Sequence, residues 1–446
     1  MKKRQFYKSF FSIYVALVLQ NVITLSVNLA DNIMLGAYSE NALAGVAAVN
    51  QIQFVFQQLL LGLSDGLVIF GSQYWGRKQT GPMKKISAVA MHCGLLIAVV
   101  LFSFVTIFPD RAVGIFTTDT VIIKEGIGYL NIIRFTYLFF AVTQILLATL
   151  RMTEVVHIAF ILSIVTFFVN CGINYVLIFG NFGAPIMGAA GAAIGTLTAR
   201  VIEFGILITY IKRKDKNLHL NIKDYLHSDR QLARDYFKVA LPILIAQGAW
   251  GLNTALQTVI LGHMTAAAIA ANSAASNLFL LVKSAASGAA STAAVLLGKT
   301  IGAGRMEQVK EYAKEMQKLF VVLGLICGAV LFSIRIPVLS LYDLQPATKD
   351  MANTFLIILS VVCVGMSYQM PTNNGIIRGG GSAGFVVKLD LISTWLIVLP
   401  LSFFMAFVME ASPAVVVCCL NADQIFKCIP AFLKCNKGNW VKKLTR

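Results

Sequence analysis

Long apolar stretches recur from one end of the chain to the other, separated by short polar segments. An apolar run of about 20 residues is long enough for a helix to cross the hydrocarbon layer of a membrane, and runs of this length predict spanning helices rather than strands. We predict about twelve spans, at residues 10–35, 42–75, 84–108, 125–150, 157–180, 187–211, 239–262, 268–298, 317–340, 351–377, 384–409 and 412–433.

Charged residues are scarce in this chain. Of its 446 residues, 57% are hydrophobic and 13% are charged, whereas soluble domains carry about 25% charged residues. The eight cysteines and five histidines show no metal-binding spacing, and no Ser/His/Asp or Cys/His set lies at membrane depth. We therefore predict an all-α polytopic membrane protein that is not an enzyme, with no catalytic residue, structural metal or cofactor.

Positive charge is concentrated in alternate loops. The net charge is +17, and basic residues cluster near 2–8, 77–85, 212–238, 299–318 and 434–446. This alternation follows the positive-inside rule, under which Lys and Arg remain on the cytoplasmic side. It predicts a multi-pass protein of the bacterial cytoplasmic membrane with both termini in the cytoplasm. We expect contact with the lipid bilayer and not with nucleic acid, because no polar face is left to carry a basic nucleic-acid surface.

The second half of the sequence repeats the first. At a constant offset of 226 residues, segment 31–36 aligns with 257–262, and Gly76 aligns with Gly302. Each match is weak alone, but one offset that holds over roughly ninety positions indicates an internal repeat.

The repeat predicts two pseudo-symmetric six-helix bundles in the same orientation, related by an axis along the membrane normal. Residues 1–211 form the N-lobe, 212–238 a cytoplasmic linker, and 239–446 the C-lobe with a short basic tail. Parallel repeats of this kind are typical of secondary transporters. We expect a monomer that works by alternating access.

Several motifs in order resemble the bacterial branch of the multidrug and toxic compound extrusion (MATE) family. They are Asp31-x-x-x-x-Gly36, Gln73-Tyr-Trp-Gly76, Asn174-Tyr-Val-Leu-Ile-Phe-Gly180 with the following 183–193 hairpin, and Arg378-Gly-Gly-Gly followed by Asp390, Trp395 and Leu399-Pro400-Leu401. The resemblance covers essentially the whole chain. It implies a proton- or sodium-driven antiporter that expels amphipathic, cationic organic compounds.

One acid and two amides in spans one and five are the first candidates for cation coupling. Asn170 and Asn174 are one helical turn apart and therefore share a face, from which they can reach Asp31. The resemblance places all three in the family's N-lobe cation site, where they would bind a proton or Na⁺. Some relatives carry an aspartate at the position of Asn174. The alternatives are an interfacial acid and amides that only join helices.

Asp65 and Asp390 complete the predicted cation-coupling set. A carboxylate in a span is costly unless it is paired or faces water, so Asp65 needs a cavity or a basic partner such as Arg134. Asp390 matches the family pattern in span eleven, with pairing to Lys388 as the alternative. Pro400 removes a backbone hydrogen bond and is a candidate hinge.

Polar and aromatic residues of other spans are predicted to line the substrate cavity. They are Asn32, Gln58, Gln247, Trp250 and Trp395. Aromatic walls accommodate varied amphipathic ligands through apolar and cation–π contacts. In several relatives the positions of Gln247 and, roughly, Ser367 carry acids, so coupling through those two acids is excluded here.

Two other functions compete with antiport. A lipid-linked oligosaccharide flippase would need a basic cavity for pyrophosphate, for which Arg134, Lys283 and Lys388 are the candidates. A non-transporting membrane scaffold would need a large extramembrane surface, and none is predicted.

Overall fold

The computed structural model describes residues 3–117, 119–225, 229–264, 266–340 and 345–445, and within these ranges the chain is helical with no strand. The helices are α1 Lys3–Tyr38, α2 Glu40–Gly76, α3 Thr80–Ile107, α4 Pro109–Gly114, α5 Thr120–Ile133, α6 Thr136–Arg151, α7 His157–Phe179, α8 Ala189–Lys214, α9 Arg230–Met264, α10 Ala266–Gly302, α11 Met306–Leu339, α12 Pro346–Met370, α13 Ala383–Leu391, α14 Leu399–Phe407, α15 Pro413–Leu420, α16 Asp423–Phe426 and α17 Cys428–Lys437. Pro371–Ile377 and Ile392–Val398 are π-helical, and Asn181–Gly183 and Ile222–Tyr225 form single 3₁₀ turns.

The membrane-spanning helices agree closely with the apolar stretches of the sequence. Ten helices of the described residues are long and apolar enough to cross a membrane, and the bent pair α5–α6 makes an eleventh. The remaining predicted span, 239–262, lies within α9, which is 35 residues long. The predicted all-helical polytopic fold is confirmed, although the last span, 412–433, is divided among α15, α16 and α17.

The fourth predicted span, 125–150, is broken into two helices. α5 and α6 are bent by 53° at Arg134 and Phe135. The Thr136 hydroxyl donates to the carbonyl oxygen of Ile133 at 2.6 Å, and such local side-chain bonds compete with the regular helical ladder. The predicted span therefore consists of two helices joined by a bend.

The chain divides into two compact units. The C-terminal unit contains Met1–Val18, Ser72–Lys78 and Leu241–Arg446, and the N-terminal unit contains Leu19–Gly71 and Gln79–Ala240. α1 and α2 therefore contribute residues to both units. The predicted lobe boundaries, 1–211 and 239–446 with the linker between them, stay a prediction.

Within the N-terminal unit, α7 and α8 form a closely packed hairpin. Gly180 ends α7 with a φ of 73°, a left-handed conformation that glycine adopts without steric cost. A Cβ on Gly191 would lie 2.8 Å from the carbonyl carbon of Leu177. Small residues allow this close approach, which replaces the hydrophobic effect as a source of helix association in lipid. The hairpin brings the polar face of α7 directly against α8.

The C-terminal unit has a continuous apolar core. Its buried members come from α9, α10, α11, α12, α14 and α15, and they include Leu261, Ala275, Leu331, Phe355, Met366, Ala406 and Val416. Alanine on α10 and larger side chains on α12 fill complementary space, because membrane helices gain stability mainly from such packing.

Segment 72–78 crosses the end of α10 at two repeat-related glycines of the C-terminal unit. A Cβ on Gly76 would overlap the carbonyl oxygen of Lys299, and a Cβ on Gly302 would overlap that of Gln73. Gly76 and Gly302 are the pair that the 226-residue offset aligns. The internal repeat therefore appears here as two backbones that cross at equivalent positions.

The buried side chain of Gln73 also holds the C-terminal tail. Its Nε2 donates to the carbonyl oxygen of Lys442 at 3.1 Å, and its Oε1 accepts from the Leu444 amide at 2.8 Å. Farther back along the tail, the Ser382 hydroxyl donates to the Trp440 carbonyl at 2.9 Å. The tail is thus fixed to the end of α2 by two hydrogen bonds of the Gln73 side-chain amide.

An ion pair of the N-terminal unit ties the polar connection after α8 to α3. Lys84 Nζ lies 3.0 Å from Asp224 Oδ2 and donates to the His219 carbonyl at 3.1 Å. Burial opposes ionisation of Asp224, but the Asn221 backbone N–H and the Lys84 ammonium outweigh it, so the pKa of Asp224 lies below its ordinary value.

Lys84→Met should lower the thermal stability slightly at neutral pH. The folded-state pKa of Asp224 is depressed, so its stabilising effect is present above about pH 4 and disappears as the pH falls through the folded-state pKa. The pair is partly exposed, and we expect a cost below about 1 kcal/mol. Melting curves of the purified protein at neutral and at acidic pH measure the difference. Lys85→Met, whose pair with Asp229 is more exposed, should have a smaller effect. An equal loss at both pH values would contradict the ion-pair explanation.

Candidate functional site

Asp31 on α1 meets two amides of α7 in the N-terminal unit. Asn174 Nδ2 donates to Asp31 Oδ1 at 2.6 Å and to Asn170 Oδ1 at 3.1 Å. The two asparagines are four residues apart and therefore project from the same face of α7. The structure brings together the three residues that the sequence proposed as the N-lobe cation site.

A threonine of α8 extends this chain of hydrogen bonds. Asn170 Nδ2 donates to Thr196 Oγ1 at 3.1 Å. α8 comes close enough because Gly195 faces Asn174, where any Cβ would overlap Asn174 Oδ1. Thr196 was not among the predicted site residues. Its place in a small-residue segment opposite Asn170 becomes clear only from the helix packing.

One acceptor in this group has no hydrogen-bond partner in the described part of the chain. Asn174 is fully buried, and its Oδ1 receives no hydrogen bond from the described residues. A buried carbonyl oxygen without a partner is rare and costly. An oxygen that lies beside a carboxylate can accept from a protonated group or coordinate a hard cation such as Na⁺. Asn174 Oδ1 is therefore free to bind one proton donor or one cation.

Two charged residues of α8 adjoin the site and were missed by the sequence prediction. Arg200 Nη1 pairs with Glu203 Oε2 at 2.6 Å, and Glu203 is only 5% exposed. The guanidinium lies 4.8 Å from the centroid of the Phe140 ring and interacts electrostatically with Asp31. Two charges three residues apart inside a predicted span would have identified them. With Asp31 and Glu203 ionised, this group carries a net charge of −1.

Tyr129 on α5 closes the group from another side. It is buried, and its side chain lies close enough to Thr196 and Asp31 to interact with both. We call Asp31, Asn170, Asn174, Thr196, Tyr129, Arg200 and Glu203 the α1–α7–α8 cluster. Four helices of one unit thus contribute to it.

Asp65 on α2 lies among different charges of the same unit. It interacts electrostatically with Arg151, at the end of α6. Arg134, the partner suggested from the sequence, lies instead 5.4 Å from the centroid of the Phe135 ring. Arg151 is therefore the basic residue that the structure places near Asp65. The coupling role of Asp65 itself stays a prediction.

Asp390 belongs to an ion triad in the C-terminal unit. Lys427 Nζ lies 2.9 Å from Asp390 Oδ1 and 2.8 Å from Asp423 Oδ2. Lys388, the partner considered from the sequence, is exposed. It lies two residues before Asp390, on a different face of α13, because only residues three or four apart are neighbours on a helix. We call Asp390, Asp423 and Lys427 the C-terminal triad.

Comparison with known proteins establishes the family. The sequence model of the MatE family matches residues 16–176 and 242–404, well over half of the chain and both halves of the internal repeat. The chain belongs to this family, the MATE transporters. The family resemblance and the polytopic membrane character predicted from the sequence are thereby confirmed.

Two bacterial relatives match along nearly the whole chain. A protein described as multidrug resistance protein NorM from Thermotoga maritima is 25% identical over 430 residues, which cover 96% of this chain and 92% of the relative. The transporter YisQ of Bacillus subtilis is 24% identical over 422 residues, which cover 93% of this chain and 90% of that relative.

Solved MATE structures share the two-lobed fold. A MATE protein crystallised in a complex superposes with a TM-score of 0.87 at 16% identity, covering 96% of this chain and 95% of the other. A MOP superfamily transporter from Pyrococcus furiosus gives a TM-score of 0.86 at 16% identity, and the match covers 96% of this chain and 94% of that transporter.

The predicted cavity residues of this MATE transporter lie in both units. Asn32 on α1 is exposed and Gln58 on α2 is half-buried, and both belong to the N-terminal unit. Gln247 and Trp250 on α9 are half-buried in the C-terminal unit, where Trp395 packs against the apolar core. That these five residues line one substrate cavity stays a prediction.

Pro400 is the second residue of α14, and α14 directly follows the π-helical stretch Ile392–Val398. The backbone stays helical through Leu399 (φ −64°, ψ −50°). Proline cannot donate to the preceding turn, and wider π-type turns accommodate such a missing bond. The hinge role of Pro400 stays a prediction.

Proposed function

We propose that this MATE transporter is a cation-coupled antiporter that expels amphipathic organic compounds across the bacterial cytoplasmic membrane by alternating access. The observation that carries the proposal is the α1–α7–α8 cluster. It combines a net charge of −1 with the unpartnered oxygen of Asn174, so one monovalent cation would satisfy both the charge and the missing bond.

Two cations suit this cluster. A proton on Asp31 would turn a pure acceptor into a donor, which an inverted Asn174 amide could accept. Na⁺ would take its oxygen ligands from Asp31, Asn170 and Asn174. Either event changes the 2.6 Å bond between α1 and α7, because Asn174 Nδ2 donates to an ionised carboxylate.

Coupling follows from differential binding. A cation that binds one arrangement of α1, α7 and α8 more tightly than the other shifts the population toward the first. A substrate that prefers the second arrangement opposes this shift. Export is then driven by the cation gradient, with the N- and C-termini placed in the cytoplasm as the loop charges predict.

Relatives support a broad organic substrate. The Thermotoga maritima relative carries the description of a multidrug resistance protein. Half-buried Trp250 and Trp395 offer flat apolar surfaces to such compounds. The cationic charge of the substrate rests on the family resemblance alone. The flippase keeps only one of its three basic candidates, Lys283, because Lys388 is exposed and Arg134 lies beside the Phe102 and Phe135 rings. A single lysine is a weak basis for binding pyrophosphate.

Imposed gradients in proteoliposomes test this function. Purified protein is reconstituted, and dye movement is followed with a pH gradient or a Na⁺ gradient imposed separately. We expect one of the two gradients to drive dye uphill, and the matching ionophore to stop it. Protein-free liposomes provide the control. Dye movement that responds to neither gradient would contradict cation-coupled antiport.

A further inference from the structure

Lys283 places a positive charge inside a membrane-spanning part of α10. It lies within Ala274–Gly302, one of the ten spans. A lysine at membrane depth is costly and therefore faces the protein interior or a water-filled cavity. No step of the proposed cation cycle uses this residue.

Trp250 of α9 lies directly beside this ammonium. Lys283 Nζ is 4.2 Å from the centroid of the Trp250 ring, within the range of a cation–π interaction. Both side chains are half-buried, so neither is sealed from a ligand. The pair joins a positive charge to a large flat apolar surface.

Asp423, the acid that interacts electrostatically with Lys283, is already engaged with another cation. Lys427 binds both Asp390 and Asp423, and Gln424 Nε2 donates to Asp423 Oδ2 at 2.9 Å. Asp423 attracts Lys283 electrostatically. Within the described part of the chain, however, no carboxylate or other acceptor lies within bonding distance of Lys283 Nζ. Among the described residues, its three donors therefore have no hydrogen-bond acceptor.

The membrane part of α9 and the whole of α10 carry no carboxylate with which an organic cation could pair. Residues 241–302, which cover the membrane part of α9 and all of α10, contain no aspartate or glutamate. An acidic group would, in contrast, supply the acceptors that Lys283 lacks. Charge-assisted hydrogen bonds of this type are stronger than neutral ones.

We propose that Lys283 and Trp250 form a binding site for the acidic group of an amphipathic organic anion, an aromatic carboxylate being the simplest form. The carboxylate accepts from Lys283, and the apolar part packs against the edge of Trp250. This inference rests on the proposed antiport function and names its substrate class. It assigns the coupling cation to Asp31 and the exported anion to Lys283, so the two ligands do not compete for one charge.

A matched pair of ligands tests the site. An aromatic carboxylate and its methyl ester are titrated against the purified transporter in nanodiscs, and binding is followed by fluorescence. We expect the acid to bind the unmodified protein at least about tenfold more tightly than the ester, since a hydrogen bond to a charged group contributes about that much. Lys283→Met should abolish this preference, and Lys283→Arg should retain most of it.

Lys299→Met is the control variant. Lys299 lies on the same helix, but its side chain is exposed at the helix end, so the preference for the acid should remain. Lys283→Gln repeats the test if the methionine variant melts at a lower temperature. Equal binding of acid and ester to the unmodified protein, or unchanged acid binding in Lys283→Met, would overturn the proposal.

Transport measurements separate this proposal from the function it rests on. If a cation gradient drives export of the ester and the acid binds no better than the ester, the antiporter stands and the anion site is wrong. If the acid binds through Lys283 but no gradient moves either compound, the site stands and antiport is wrong.

Discussion

Replacing Asp31 by asparagine is expected to abolish gradient-driven export while leaving the protein folded. The asparagine side chain has almost the same shape, and its Oδ1 can still accept the bond that Asn174 Nδ2 donates at 2.6 Å. The substitution removes the charge, so the α1–α7–α8 cluster becomes neutral when Glu203 and Arg200 remain paired. A neutral cluster has no electrostatic reason to bind a cation.

The expected loss is large because the cation gradient is the only energy source of an antiporter, and it drives export only if the cation binds. A ligand with equal affinity for both conformations shifts nothing, however tightly it binds. Losing a hydrogen bond or ion contact to a charged group costs about 1.5–3 kcal/mol, which is roughly 10- to 150-fold in cation affinity. We therefore expect dye export under an imposed gradient to fall to the level of protein-free liposomes.

Asp119→Asn is the matched control. Asp119 caps the exposed start of α5 by accepting from the Val121 and Ile122 amides, and asparagine caps helices about as well as aspartate does. This variant should export dye like the unmodified protein. Both variants should be obtained in equal amounts and melt at the same temperature. Export against a gradient by Asp31→Asn, at unchanged expression, would exclude Asp31 from coupling.

The helices and the centre of the site could be predicted because their pattern is local. Apolar runs fix where helices form in lipid, since every backbone polar group must bond within its own helix there. Asn170 and Asn174 share a face by their spacing alone. Gly180 marks the end of α7 because its conformation favours glycine.

The partners of the charged residues could not be predicted, since they depend on how helices rotate against each other. Asp390 pairs with Lys427, which lies 37 positions farther along the chain, rather than with Lys388. Arg200 and Thr196 join the Asp31 group only because Gly195 lets α8 approach Asn174. Sequence reasoning found the acid of α1 and the two amides of α7 but not the residues that α8 adds to them.

The internal repeat gives one structural consequence that can be measured. Gly76 and Gly302 were aligned by the offset, and each lies where its missing side chain lets the other helix pass. The obstructing atoms are backbone carbonyl oxygens, which cannot rotate away as a side chain can. Any side chain at these positions must push the two backbones apart.

Gly302→Ala should therefore destabilise the protein strongly. The added Cβ would overlap the Gln73 carbonyl oxygen, and displacement of Gln73 would also weaken its bonds to Lys442 and Leu444 in the C-terminal tail. Overpacking of this kind costs about 1–3 kcal/mol, to which the weakened tail bonds would add. Melting of the purified protein in detergent measures the loss.

Gly205→Ala on α8 is the control, because nothing lies within 4 Å of the new Cβ. It should be neutral or slightly stabilising, since alanine favours the helix by about 0.5–1 kcal/mol. If both variants melted like the unmodified protein, the crossing at Gly302 would not be close-packed, and the equivalence of Gly76 and Gly302 would have no structural meaning.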